Sequence, residues 1–65
     1  MRTLPKIGER VVVHGMTHVE TYVSRIEYVQ TEGRHMIHLD WGEHGTSRVF
    51  DTDEGKVWYR YTESN

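Results

Sequence analysis

Sixty-five residues allow a single domain, at a size where an unaided apolar core only marginally offsets chain entropy. The absence of cysteine excludes a disulfide framework and a thiolate metal site, and no stretch approaches the ~20 apolar residues that span a bilayer. A formal net charge of -2 excludes a chain-wide cationic field for nucleic acid, though not a local basic face.

In chain order, Met1-Arg2-Thr3-Leu4-Pro5-Lys6 lacks the apolar run of a signal peptide, so a cytoplasmic, non-membrane protein is expected. Pro5 and Gly8 punctuate a lead-in, and Glu9–His14 follows as a β-branched run that Gly15 ends. Met16–Glu20 has no period and reads as a loop. Thr21–Val29 is a second strand with a two-sided alternation: Tyr22, Ile26 and Tyr28 share one parity, Val23 and Val29 the other. Such a strand can curve across a barrel. Gln30–Arg34 supplies a turn, with Gly33 free to take positive φ.

Met36–Phe50 writes a hairpin. Ile37, Leu39 and Trp41 fall at i, i+2 and i+4 and line one face, while His38 and Asp40 face the other way, and Gly42 and Gly45 bracket the reversal. Asp51–Gly55 then turns the chain into a last strand, Lys56–Tyr61, and Thr62–Asn65 is a polar tail. Arg10–Glu27 has apolar residues too evenly spread for a helical stripe. The expected architecture is all-β: one domain over residues 1–65, its core about 6–61, built of five short antiparallel strands that must curl to bury a core. With few aliphatic residues, the seven aromatics Tyr22, Tyr28, Trp41, Phe50, Trp58, Tyr59 and Tyr61 are the expected reservoir of burial.

The lead-in Ile7-Gly8-Glu9-Arg10-Val11, the strand Tyr22-Val23-Ser24-Arg25-Ile26, the hairpin Ile37–Gly42 and the closing strand together resemble Src-homology-3-like small barrels of the Tudor, chromo-barrel and KOW kind. The resemblance covers residues 6–61 and rests on pattern rather than on a diagnostic motif. In Tudor-like members, aromatic side chains at one end of the barrel cage a methylated lysine or arginine through cation–π attraction. The residues that the resemblance offers for such peptide binding are Tyr22, Tyr28, Trp41 and Phe50, with Asp40 and Glu43 near enough in sequence for an acidic rim; the alternative is that these aromatics are simply core.

Six of the eight basic residues are arginine, the type suited to bidentate phosphate contact and to stacking on bases. Arg25, Arg48 and Arg60 with Trp58 on one outer face would form a mixed basic and aromatic surface for nucleic acid or a nucleoprotein. Which of Trp58 and Tyr59 is buried decides that surface. A protein partner at the aromatic end is the alternative, and exposed edge strands raise a homodimer.

Five histidines, His14, His18, His35, His38 and His44, invite a metal site, but they show no zinc-ligand spacing, so neither a metal nor a cofactor is expected. No nucleophile elbow or phosphate loop is present, and so short a chain is expected to lack a sequestered pocket of about 300 Å³ or more, so a non-catalytic adaptor is expected rather than an enzyme.

Overall fold

The computed structural model describes residues 3–62. Of the expected tail Thr62–Asn65, all but Thr62 lies outside them, as do Met1 and Arg2 of the lead-in.

Five strands form one antiparallel sheet: β1 (Arg10–Val13), β2 (Thr21–Val29), β3 (Arg34–Asp40), β4 (Thr46–Phe50) and β5 (Trp58–Arg60), in the order β4-β3-β2-β1-β5. Among the described residues there is no α-helix, only 3-10 turns at Gly42–His44 and Asp51–Asp53. No helix of the described residues is long and apolar enough to cross a membrane.

The long strand β2 changes face partway. Val23 pairs with Leu39 and Arg25 with His38, so Ser24 is an extra residue, a β-bulge, and its hydroxyl donates to the His38 carbonyl at 3.1 Å. Before the bulge Thr21 and Val23 point inward, and after it Ile26 does. The two-sided alternation is therefore a single inward face interrupted by one slipped residue. The bulge also bends the strand and increases its local twist.

That core is Val11, Val23, Ile37, Leu39, Val49 and Trp58, with Val13, Ile26 and Trp41 packed against it. Each such side chain contributes about 1.5–3 kcal/mol of burial. The expected aromatic reservoir is corrected here. Trp58 is fully buried, but Tyr22, Tyr28, Tyr59 and Tyr61 are exposed, and the interior is mostly aliphatic. The reason is alternation: five strands supply enough inward valine, isoleucine and leucine positions, which leaves the tyrosines to opposite parities or strand ends.

Trp58 is where the lead-in, the Asp51–Gly55 turn and β5 meet. Its indole N–H donates to the Phe50 carbonyl at 2.8 Å, and its own carbonyl accepts from Gly55 N at 2.7 Å. Buried Pro5 and its neighbours Thr3 and Leu4 come against it beside Asp51, Thr52 and Glu54, around a crevice of about 110 Å³.

Candidate functional site

The four residues expected to make a nucleic-acid face do not share one. Trp58 points inward, so the expectation that it stands outside beside Arg60 is overturned: inward Val13 pairs with it across β1, and Tyr59 takes the outer side. Arg60 is half-buried and structural. Its guanidinium donates to the Thr3 carbonyl at 2.5 Å and lies 3.6 Å from Glu9 and 4.0 Å from Glu54, clamping the lead-in against β5. Arg25 and Arg48 do come together, each paired in register with His38 and therefore on either side of it. Arg25 is tied to Glu27 at 3.2 Å, whereas Arg48 has no ion-pair partner among the described residues. Glu27 also accepts from His38 Nε2–H at 2.6 Å, and this bond, helped by the charge of Arg25, holds its carboxyl below its ordinary value against the opposing effect of burial.

The peptide-binding candidates divide in two. Tyr28 stacks edge-on with His35 at 5.1 Å, and Phe50 lies beneath the Arg34 guanidinium, 3.6 Å from its ring centre. Both belong to the far end of the β2–β3–β4 ladder, several pairs from Tyr22 and Asp40, so they do not join an aromatic cage. Arg34 is held there by Thr52 and Glu32, and Asp51 receives the backbone N–H of His35, so this end is a closed structural network.

Tyr22, Asp40 and Trp41 do converge. They line an open cleft of about 570 Å³ between the β1–β2 loop and the β3–β4 reversal, together with His18, Val19, Glu20, Gly42, Glu43 and His44. The cleft is open to solvent rather than sequestered, so it is not the enclosed pocket that so short a chain is expected to lack. The backbone explains its shape. The β1–β2 loop is pinned where buried Val19 follows Met16, whose carbonyl accepts from Val19 N at 3.2 Å, and Thr21 closes the loop by donating to the Val19 carbonyl. Across from it, Asp40 accepts from Gly42 N at 2.8 Å, the short turn Gly42–His44 follows, and Trp41 N donates to the Gly45 carbonyl at 2.8 Å. The indole of Trp41 is held by Ser47, whose hydroxyl accepts its N–H at 2.6 Å.

Three carboxylates, from Glu20, Asp40 and Glu43, thus stand around two aromatic side chains. Glu20 accepts from the Tyr22 hydroxyl at 2.7 Å, and that bond, followed by burial and the charge of Glu20, pushes the tyrosine above its ordinary value of 10.0. The phenol therefore stays neutral and presents a ring rather than a further negative charge. Glu20 was not among the sequence candidates. It sits in a loop with no period, and only the pinned loop carries it to Tyr22. Among the described residues no group of histidines and acids is arranged to hold a metal ion, and His18 and His44 line the cleft without forming one. Comparison of the chain with models of protein families, with curated proteins and with solved structures gives no match.

Proposed function

We propose that the chain is a non-catalytic binding module that takes a cationic segment of a partner protein in the cleft of Tyr22 and Trp41. The observation that carries this reading is the convergence of Glu20, Asp40 and Glu43 on those two rings in one solvent-open cleft. A lysine or arginine side chain entering it meets carboxylates at the rim and aromatic faces on the wall, so Coulomb and cation–π attraction act on the same charge. A methylated lysine is the ligand best matched to such walls, because it keeps its charge and sheds hydration at low cost.

We also read the sheet as a small Src-homology-3-like barrel. In support, the strand order runs as a β2-β3-β4 meander with β1 and β5 beside it, β2 carries a bending bulge, and a 3-10 turn precedes β5. The Trp58 indole on the Phe50 carbonyl would bring the open edges together.

The test is a titration of the 15N-labelled chain with an unmodified lysine peptide and with its trimethyl-lysine counterpart. Shifts concentrated on the Trp41 indole N–H and on residues of the β1–β2 loop, lost in Glu20→Gln/Glu43→Gln, are expected. Unchanged spectra at millimolar peptide would sink the reading.

A further inference from the structure

The face of the sheet opposite Trp58 carries three exposed tyrosines. On β5 and just past it, Tyr59 and Tyr61 alternate with inward Trp58 and Arg60, and Tyr59 pairs with Val12 of β1. Tyr61 N donates to the Arg10 carbonyl at 3.3 Å, and Arg10 pairs in turn with Tyr22 of β2, so Tyr61, Arg10 and Tyr22 form a line across neighbouring strands. The tyrosines are 40%, 37% and 40% exposed at positions 22, 59 and 61. Val57 continues the row along the edge, and His14 packs edge-on against Tyr59 at 5.0 Å.

Arg10 stands at the centre of this face. Its guanidinium lies 4.0 Å from the Tyr61 ring centre, it has no carboxylate partner among the described residues, and its Nε–H is buried there without an acceptor. By contrast Arg25, Arg34 and Arg60 are each paired with glutamate. An unanswered cation stacked on a ring, within a patch of exposed rings, is matched by a ligand that brings both an anion and flat π faces.

We propose that this tyrosine face binds single-stranded nucleic acid, with bases stacking on Tyr59 and Tyr61 and a phosphate meeting Arg10. Alternate residues of one strand stand about 6.6 Å apart, which gives successive unstacked bases one ring each. Stacking accepts any base because every base has a π face, so the site selects single strands over duplex rather than sequence. The guanidinium over Tyr61 is of the type suited to bidentate contact with phosphate oxygens. An apolar protein partner on the same face would bury the Arg10 charge without an answering carboxylate, at a cost. Glu20, bonded to the Tyr22 hydroxyl, puts negative charge at the Tyr22 end of the row and so favours phosphates on the Arg10 and Tyr61 side. The proposed contacts, Tyr59, Tyr61 and Arg10, are not among the residues that line the cleft.

The test is fluorescence anisotropy of the full chain with a labelled decathymidylate and with the same strand annealed to its complement, at 50 and 200 mM salt. The single strand is expected to bind at least tenfold more tightly than the duplex. Tyr59→Ala/Tyr61→Ala should lose at least tenfold, as removal of a base–aromatic stack costs about 1–3 kcal/mol. Tyr61→Ala alone, at a position outside the β5 ladder, should lose severalfold while still melting cooperatively above the assay temperature, its midpoint lowered only by the lost Arg10 contact. Affinity should fall only about threefold per phosphate contact between the two salt concentrations, a dependence that Arg10→Gln flattens. Glu43→Gln should change none of these values, which separates failure here from failure of the cleft. Absence of binding at 50 mM salt, equal affinity for duplex, or affinity unmoved by Tyr61→Ala overturns the proposal. So does a homodimer, seen by sedimentation, that Tyr61→Ala dissociates.

Discussion

The indole N–H of Trp58 and the backbone carbonyl of Phe50, 2.8 Å apart, join β5 to the end of β4, the two edge strands that no ladder connects. The bond satisfies a polar tip inside an apolar core and ties the two edge strands at one point. Two effects therefore meet in one side chain. Trp58→Phe keeps most of the volume but leaves the carbonyl without its donor, at about 1–3 kcal/mol. Trp58→Ala removes the largest core residue, at about 3–5 kcal/mol, which is comparable to all the stability such a small core supplies. Urea unfolding followed by circular dichroism should show a lowered midpoint for the first variant and a largely unfolded chain for the second. A cooperative, near-native Trp58→Ala would show that the fold does not depend on this residue.

Glu27 links stability to pH through the outer face. It accepts from His38 and pairs with Arg25, and the His38 bond is the larger reason that its carboxyl is held below 4.5. A carboxyl depressed in the folded state stabilises it above the unfolded value and ceases to do so as pH falls through the folded one. Wild type should therefore exceed Glu27→Gln in urea midpoint at pH 7, and the two should converge once the pH drops well below 4.5. A difference that persists unchanged at low pH would mean that the carboxylate charge is not its source.

The strands and the inward face of the hairpin are legible in the sequence because Ile37 and Leu39 alternate with polar residues, a period that only a sheet explains. The parity of the last strand is not. Trp58 and Tyr59 are both aromatic, so alternation assigns neither to the core, and the deciding partner is a carbonyl eight residues away. The bulge at Ser24 is likewise hidden, since one slipped residue makes β2 read as apolar on two faces. Of the cleft, Tyr22, Asp40 and Trp41 were visible as residue types near strand ends, whereas Glu20 depended on how a loop without periodicity is pinned. Chemistry alone groups Tyr28 and Phe50 with them, and distance along the β2–β3–β4 ladder separates them.

Gly45 and Gly42 bracket the cleft wall with different backbone demands. Gly45 sits at φ 101°, ψ -149°, a region that side chains hardly enter, while Gly42 at φ 66° is in the left-handed region that asparagine tolerates. Among the described residues neither has a neighbour within 4 Å of where a Cβ would stand, so backbone conformation sets the cost. Gly45→Ala should destabilise by about 1–3 kcal/mol and Gly42→Asn by less. Thermal melts of the two variants compare them directly, and equal losses would contradict the assignment.

Ser47 decides whether Trp41 is held as a wall of the cleft or merely rests there. The Trp41 indole is half-buried against the core, and its only polar atom donates to the Ser47 hydroxyl at 2.6 Å from the neighbouring strand. Ser47→Ala removes the acceptor and costs about 0.5–1.5 kcal/mol, because water reaches the half-buried indole and replaces part of the bond. The larger effect falls on orientation: an unanchored ring samples more rotamers, and a cationic ligand must then pay to order it. Ser47→Thr keeps the hydroxyl and suits a strand, so it should retain both stability and affinity. Calorimetric titration of the lysine peptide into the three proteins should give a weaker Ser47→Ala at temperatures where all are folded. Equal affinities throughout would show that the ring's anchoring plays no part in the cleft's recognition of a cation.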